Sequence, residues 1–261
     1  MPKYDYSGLQ IHYRITGAGK PLLMLHGWGS SSDVMMPLAG KFSKTHNCII
    51  PDLPGFGSTP APETAWSVDD YSDFVLRFMK DLDINSPDIL AHSFGGRIML
   101  KLCARPGMEE HFGKIIITGG AGMKPRRKAS FYLKKYIAKT IKAPFMVLPP
   151  SLREPSLSWL RKTWVWKALG SGDYQKLQGV MRETFVKTVS EHLEPCLPRI
   201  RQEILLLWGE NDEATPLYQG RRIEQGIPSA ALVTIKQAGH YAFLEQPVNF
   251  QVIANAFYNS S

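Results

Sequence analysis

At 261 residues, 44% of them hydrophobic, the chain has the size of one α/β domain with a sizeable core, and its longest apolar runs fall far short of the ~20 residues of a membrane span. The N-terminal stretch MPKYDYSGLQIHYRI has no apolar signal core, and three scattered cysteines (Cys48, Cys103, Cys196) exclude a disulfide or zinc framework and fit reduced thiols in a cytoplasmic protein. The net charge of +8 is concentrated in one place: Ala121–Ser190 holds 15 Lys and Arg against three acids, and the rest of the chain holds 16 against 20.

Taken in chain order, strand-like and helix-like patterns alternate. Pro21–Gly27 is a near-continuous apolar run, as expected of a strand buried on both faces, and it leads into His26-Gly27-Trp28-Gly29. Cys48–Pro51 is a second such run, followed by Asp52-Leu-Pro-Gly-Phe-Gly57. Ser67–Asp83 reads as a helix with Ser67 as N-cap, Asp70 completing a capping-box-like start, and apolar residues at three- and four-residue spacing. Ile89–Ala91 reads as a strand and Phe94–Ala104 as a helix, and Lys114–Thr118 is the next strand. Residues 121–191 have helical periodicity, proline breaks at 149, 150 and 155, no convincing buried strand and most of the positive charge. The segment reads as a helical, basic lid inserted between two strands of a core formed by residues 1–120 and 192–261. Strands Ile204–Trp208 and Ala231–Ile235 and helix Pro247–Tyr258 complete the chain. The pattern calls for a mostly parallel central sheet flanked by helices.

Four motifs on this frame carry chemistry. In Asp88-Ile-Leu-Ala-His-Ser-Phe-Gly-Gly-Arg97 a strand runs straight into a serine with small residues two places either side, Ala91 and Gly95. Such spacing makes a nucleophile elbow, whose turn is too tight for larger side chains there. The plainer alternative is a serine N-cap in a small-residue turn. HGWG at 26–29 offers a glycine-flanked backbone N–H at Trp28, which with that of Phe94 would receive the oxyanion formed when Ser93 attacks a carbonyl. His240, in the loop after a late strand, is placed to act as the base a serine hydroxyl needs. His26 and His92 read as hydrogen-bonded structural residues. Asp212, in Trp208-Gly-Glu-Asn-Asp212, is the carboxylate to orient His240, with Glu210 and Glu213 as solvated loop neighbours. The chain order Ser93, Asp212, His240 is that of α/β hydrolases. Trp28, Met123 and Tyr241 are candidate pocket residues, and no metal site and no cofactor are expected.

On these motifs the chain resembles the α/β-hydrolase superfamily over essentially its whole length, and within it the serine esterases of BioH type, the pimeloyl carrier-protein methyl ester carboxylesterases. The elbow has A-x-S-x-G where G-x-S-x-G is commoner, and Ser58-Thr59 departs mildly from the pattern after DLPGFG. A serine at position 93 argues against dehalogenases and epoxide hydrolases, which need aspartate there. The resemblance implies a serine hydrolase of carboxylic esters working through an acyl-enzyme. The same triad serves thioesterases, lactonases, perhydrolases and carbon–carbon bond hydrolases. A non-catalytic binding protein on this fold would have lost a triad position, and none is lost. The glycine-rich stretches at 55–57 and 119–122 do not form a nucleotide-binding fingerprint, and no nucleic-acid module accompanies the basic segment. Its cationic surface is either a solvated face or a dock for an acidic acyl carrier, such as acyl carrier protein or coenzyme A, with contact to anionic lipid as a third use.

Overall fold

The apolar runs of the sequence become the middle of one eight-stranded sheet. The computed structural model describes residues 2–126, residues 177–260 and separate positions between 136 and 159. Its strands are β1 (Lys3–Tyr6), β2 (Leu9–Thr16), β3 (Lys20–Leu25), β4 (His46–Pro51), β5 (Asp88–His92), β6 (Ile115–Thr118), β7 (Ile204–Gly209) and β8 (Ala230–Ile235). They lie in the order β1-β2-β4-β3-β5-β6-β7-β8, antiparallel across β1, β2 and β4 and parallel from β4 to β8. β5, β6 and β7 are buried along their whole length, because helices cover both faces of the sheet there.

The helices are α1 (Ser32–Phe42), α2 (Val68–Asp81), α3 (Phe94–Cys103), α4 (Gly179–Ser190), α5 (Leu217–Gly226), α6 (Ala242–Glu245) and α7 (Pro247–Tyr258), with a 3₁₀ turn at Glu194–Arg199. The start of α2 is the capping box read from the sequence. Ser67 Oγ accepts from the Asp70 amide, and the Asp70 carboxylate accepts from the Ser67 amide at 2.6 Å. Its apolar stripe buries Tyr71, Phe74, Val75 and Phe78. Truncating a ring such as Phe74 to alanine would cost about 3–5 kcal/mol.

Register aligns the strand ends. Leu25 pairs with Ala91, His92 with Thr118, and Thr118 with Leu207, so loops after β3, β5, β6 and β7 leave from one edge. β3 has β4 on one side and β5 on the other, so the chain changes direction across the sheet at β3, and in open α/β sheets the carboxyl ends of the strands at such a point are where sites form.

Contacts divide the chain into two units, residues 1–124 with 186–261 and residues 125–185. The first carries the whole sheet. The second follows β6 in the chain and is helical at 143–145 and 151–153. Most of the basic residues of the segment, Arg127, Lys128, Lys134, Lys135, Lys139, Lys142, Arg161, Lys162 and Lys167 among them, lie outside the described residues. The three cysteines are buried and unpaired, and burial pushes the Cys48 thiol up to about 11. Among the described residues no helix is long and apolar enough to cross a membrane.

Candidate active site

Ser93 joins β5 to α3 with φ 50° and ψ −105°, a conformation that costs a non-glycine residue about 1–3 kcal/mol and persists only when its surroundings enforce it. They do so here through the backbone. Ser93 N donates to Thr118 O at 3.0 Å, Ser93 O accepts from Arg97 N at 3.1 Å and Ala121 N at 3.0 Å, and Gly95 N donates to His26 O at 3.1 Å. A Cβ at Gly95 would lie 2.5 Å from Leu25 O, and one at Gly96 would lie 2.7 Å from Ile117 Cγ2. The small-residue pattern is therefore a packing requirement. Ala91 meets it at the other side of the turn, fully buried.

At the ends of β7 and β8, His240 Nδ1 donates to Asp212 Oδ2 at 2.8 Å. The Asp212 side chain is wholly buried, while His240 keeps part of its ring open. Asp212 has a second partner that sequence reasoning missed. Thr215 N donates to Oδ1 at 2.8 Å, and Thr215 Oγ1 sits 2.9 Å from Oδ2 and 2.8 Å from Gly119 O. One hydroxyl hydrogen serves those two acceptors. Thr215 is itself held by Trp208 Nε1, which donates to its carbonyl oxygen at 2.6 Å. The Asp-x-x-Thr spacing, in which an aspartate caps a turn three residues on, is the sequence signal for it.

Gly119 connects this pair to the elbow. It adopts φ +54° directly after Thr118, and a Cβ there would lie 3.0 Å from His240 Nδ1 and 3.1 Å from Asp212 Oδ2. The structure thus bonds Asp212 to His240 directly and brings Ser93 to them through the backbone, with no Ser93–His240 hydrogen bond among the described residues. Nucleophile–base bonds of this kind are commonly long until substrate closes them.

The loop after β3 packs on the same spot. A Cβ at Gly27 would lie 3.2 Å from Ser93 Cβ, which puts the backbone of the HGWG loop against the nucleophile. The Phe94 N–H is the first of α3 and has no intrahelical acceptor. The Trp28 ring meets Phe94 edge-on at 5.2 Å and Phe56 at 4.8 Å. Tyr241 is half-buried with its ring 4.8 Å from that of His92, and Met123 is buried in the core unit.

His26 and His92 are both buried and hydrogen-bonded, the environment expected for them from the sequence. His26 Nδ1 donates to Gly27 O at 2.8 Å, and Nε2 accepts from Leu53 N at 3.0 Å, tying the loop after β3 to that after β4. Full burial lowers its pKa to about 4, so it stays neutral. His92 Nδ1 donates to Thr118 O at 3.1 Å, and its ring centroid lies 4.7 Å from that of His240. Burial, aided by the nearby His240, lowers its pKa to about 3. Asp52 stabilises the neighbouring loop by accepting from Ser32 N at 2.6 Å and Ser58 N at 2.9 Å. Glu210 is exposed in its loop, as read from the sequence, and its Oε2 also accepts from Gln237 N at 3.1 Å. Among the described residues no group of three His, Cys, Asp or Glu is placed to hold a metal ion.

A family model for the alpha/beta hydrolase fold matches residues 20–247. The chain belongs to this family. Among its relatives, the 2-hydroxymuconate semialdehyde hydrolase of Pseudomonas sp. strain CF600 is 24% identical over 264 residues, 96% of this chain and 91% of that one. A meta-cleavage product hydrolase from Pseudomonas fluorescens IP01 has a similar structure, with a TM-score of 0.72 at 21% identity over 99% of this chain and 97% of the other. An esterase from Exiguobacterium antarcticum matches with a TM-score of 0.73 at 20% identity, covering 97% of each chain. The chain is therefore a hydrolase of the α/β-hydrolase fold.

Proposed function

We propose that the chain cleaves carboxylic esters through an acyl-enzyme on Ser93. The observation that carries this reading is the hydrogen bond from His240 to the buried Asp212 carboxylate, linked through Gly119 and Thr118 to a serine in a strained strand-to-helix turn. In the proposed reaction Ser93 Oγ attacks the ester carbonyl carbon while His240 Nε2 takes its proton, and Asp212 fixes the tautomer and faces the imidazolium. Charge on the carbonyl oxygen is received by the Trp28 and Phe94 N–H groups. Collapse breaks the C–O bond, and His240 returns the proton to the leaving alcohol. Water, deprotonated by His240, then releases the acid from Ser93.

A carbon–carbon bond hydrolase is the second reading, favoured by the similarity to the 2-hydroxymuconate semialdehyde and meta-cleavage product hydrolases. The same residues would then serve a vinylogous diketone acid in place of an ester. The narrower esterase reading, which follows the resemblance to BioH-type enzymes, adds an acidic acyl carrier docked on the basic segment within 121–191. Its support is the charge excess there. Purified protein assayed on aryl and methyl esters and on a 2-hydroxy-6-oxo-dienoate separates these readings. Turnover of the esters with the dienoate untouched is the expected result. Selective turnover of the dienoate would replace the ester reading with the second.

A further inference from the structure

We propose that Glu245 is a positioning residue for His240, holding the base from its backbone while Asp212 holds it from the imidazole; the proposal rests on His240 being the base of a Ser93 hydrolase. Asp212 touches the ring at Nδ1 alone. Contacts at that one nitrogen, where Thr215 Oγ1 also lies at 3.4 Å, fix a point on the ring and leave the path of the loop that carries it undetermined. That loop joins β8 to α6 and turns at Gln237, whose φ is 55°. Glu210 and the amide of Asn211, which donates to Ala238 O at 2.8 Å, hold its first half to the end of β7.

Glu245 holds the second half. From the end of α6 its carboxylate turns back, so that Oε2 accepts from Gly239 N at 2.7 Å and Oε1 from Tyr241 N at 3.2 Å. These two amides flank His240. A Cβ at Gly239 would lie 3.1 and 3.2 Å from the two carboxylate oxygens, so a glycine there gives the carboxylate room to approach. Bonds to an ionised acceptor are roughly twice as strong as neutral ones, and two on one rigid group fix both position and direction. The competing role is that of a cap on α6, which would support the Tyr241 contact alone. Gly239 lies outside that helix, before His240, and its bond is the shorter of the two. A displacement near 1 Å at the base costs about 10² in rate.

The test is steady-state hydrolysis of p-nitrophenyl acetate by Glu245→Ala and Glu245→Gln, with thermal unfolding of each. In Glu245→Ala kcat is expected to fall about 10²-fold with KM within about twofold and the melting temperature within a few degrees. Glu245→Gln keeps one acceptor oxygen and is expected to fall between alanine and the parent. A folded Glu245→Ala protein with kcat within about twofold of the parent overturns the proposal. If the alanine variant does not fold, full kcat in Glu245→Gln overturns it instead. Ser93→Ala in the same assay separates the two levels. Activity surviving there defeats the Ser93–His240 reading itself, whereas its loss there with Glu245→Ala unimpaired defeats only the positioning role.

Discussion

Acidification should destabilise this protein through two buried histidines. His26 and His92 are both fully buried, and burial depresses them to about 4 and about 3. An unfolded imidazole titrates near 6.5. Between those values and 6.5 the unfolded chain binds more protons than the folded one, so stability is undiminished above 6.5 and is lost as pH falls. At pH 5 each histidine lies about 1.5 units below its unfolded value. At 1.36 kcal/mol per unit that is a loss of about 2 kcal/mol from each, large against a net stability of 5–15 kcal/mol. Carboxylates held below their usual range, Asp88 and Asp69 among them, add their own loss only at lower pH. The assay is urea unfolding between about pH 7.5 and 5, compared with His92→Phe. The variant loses the bond to Thr118 O but also one titrating group, and Nε2 of His92 has no partner to lose. It is expected to be less stable than the parent at pH 7.5 and to lose stability less steeply towards pH 5. An unchanged slope in His92→Phe would refute the reasoning.

Other expectations concern the site more directly. Asp212→Asn should leave the fold intact and lower kcat by about 10⁴, since the amide favours the wrong tautomer of His240, whereas Glu213→Gln should stay within a few-fold. Gly119→Ala meets both the positive φ and the contacts to His240 and Asp212, and should lose about 1–2 kcal/mol of stability and more than about tenfold in kcat, read by unfolding and ester kinetics. Reversing Arg126, Arg127 and Lys128 to glutamate should reduce kcat/KM for a carrier-linked ester and flatten its salt dependence, with a small neutral ester unaffected. Equal behaviour of the two substrates would leave the basic segment as a solvated face.

Strands were legible because they read as apolar runs: β3 to β8 all stand where such runs stand, β5, β6 and β7 buried along their whole length and the edge strand β8 only in part. Ser67 and Asp70 announced α2, and the elbow was readable from Ala91 and Gly95 because sterics admit few residues there. The β1–β2 hairpin gave no such signal, since in β2 only Ile11 and Tyr13 are buried. Nor did α1, which carries Pro37 inside it. Asp212 and His240 were legible as residue types that the chemistry demands. Thr215 could be read only from its spacing to Asp212, and Glu210 and Glu245 not at all, because they act on backbone amides and nothing in their own type distinguishes them from solvated loop residues.

The most direct measurement is the mass of the protein after reaction with a fluorophosphonate, followed by peptide mapping. A single phosphonyl adduct on Ser93 is expected, absent from Ser93→Ala and formed far more slowly in His240→Ala. Labelling at another residue, or ester hydrolysis undiminished in a folded Ser93→Ala protein, would contradict a mechanism centred on Ser93.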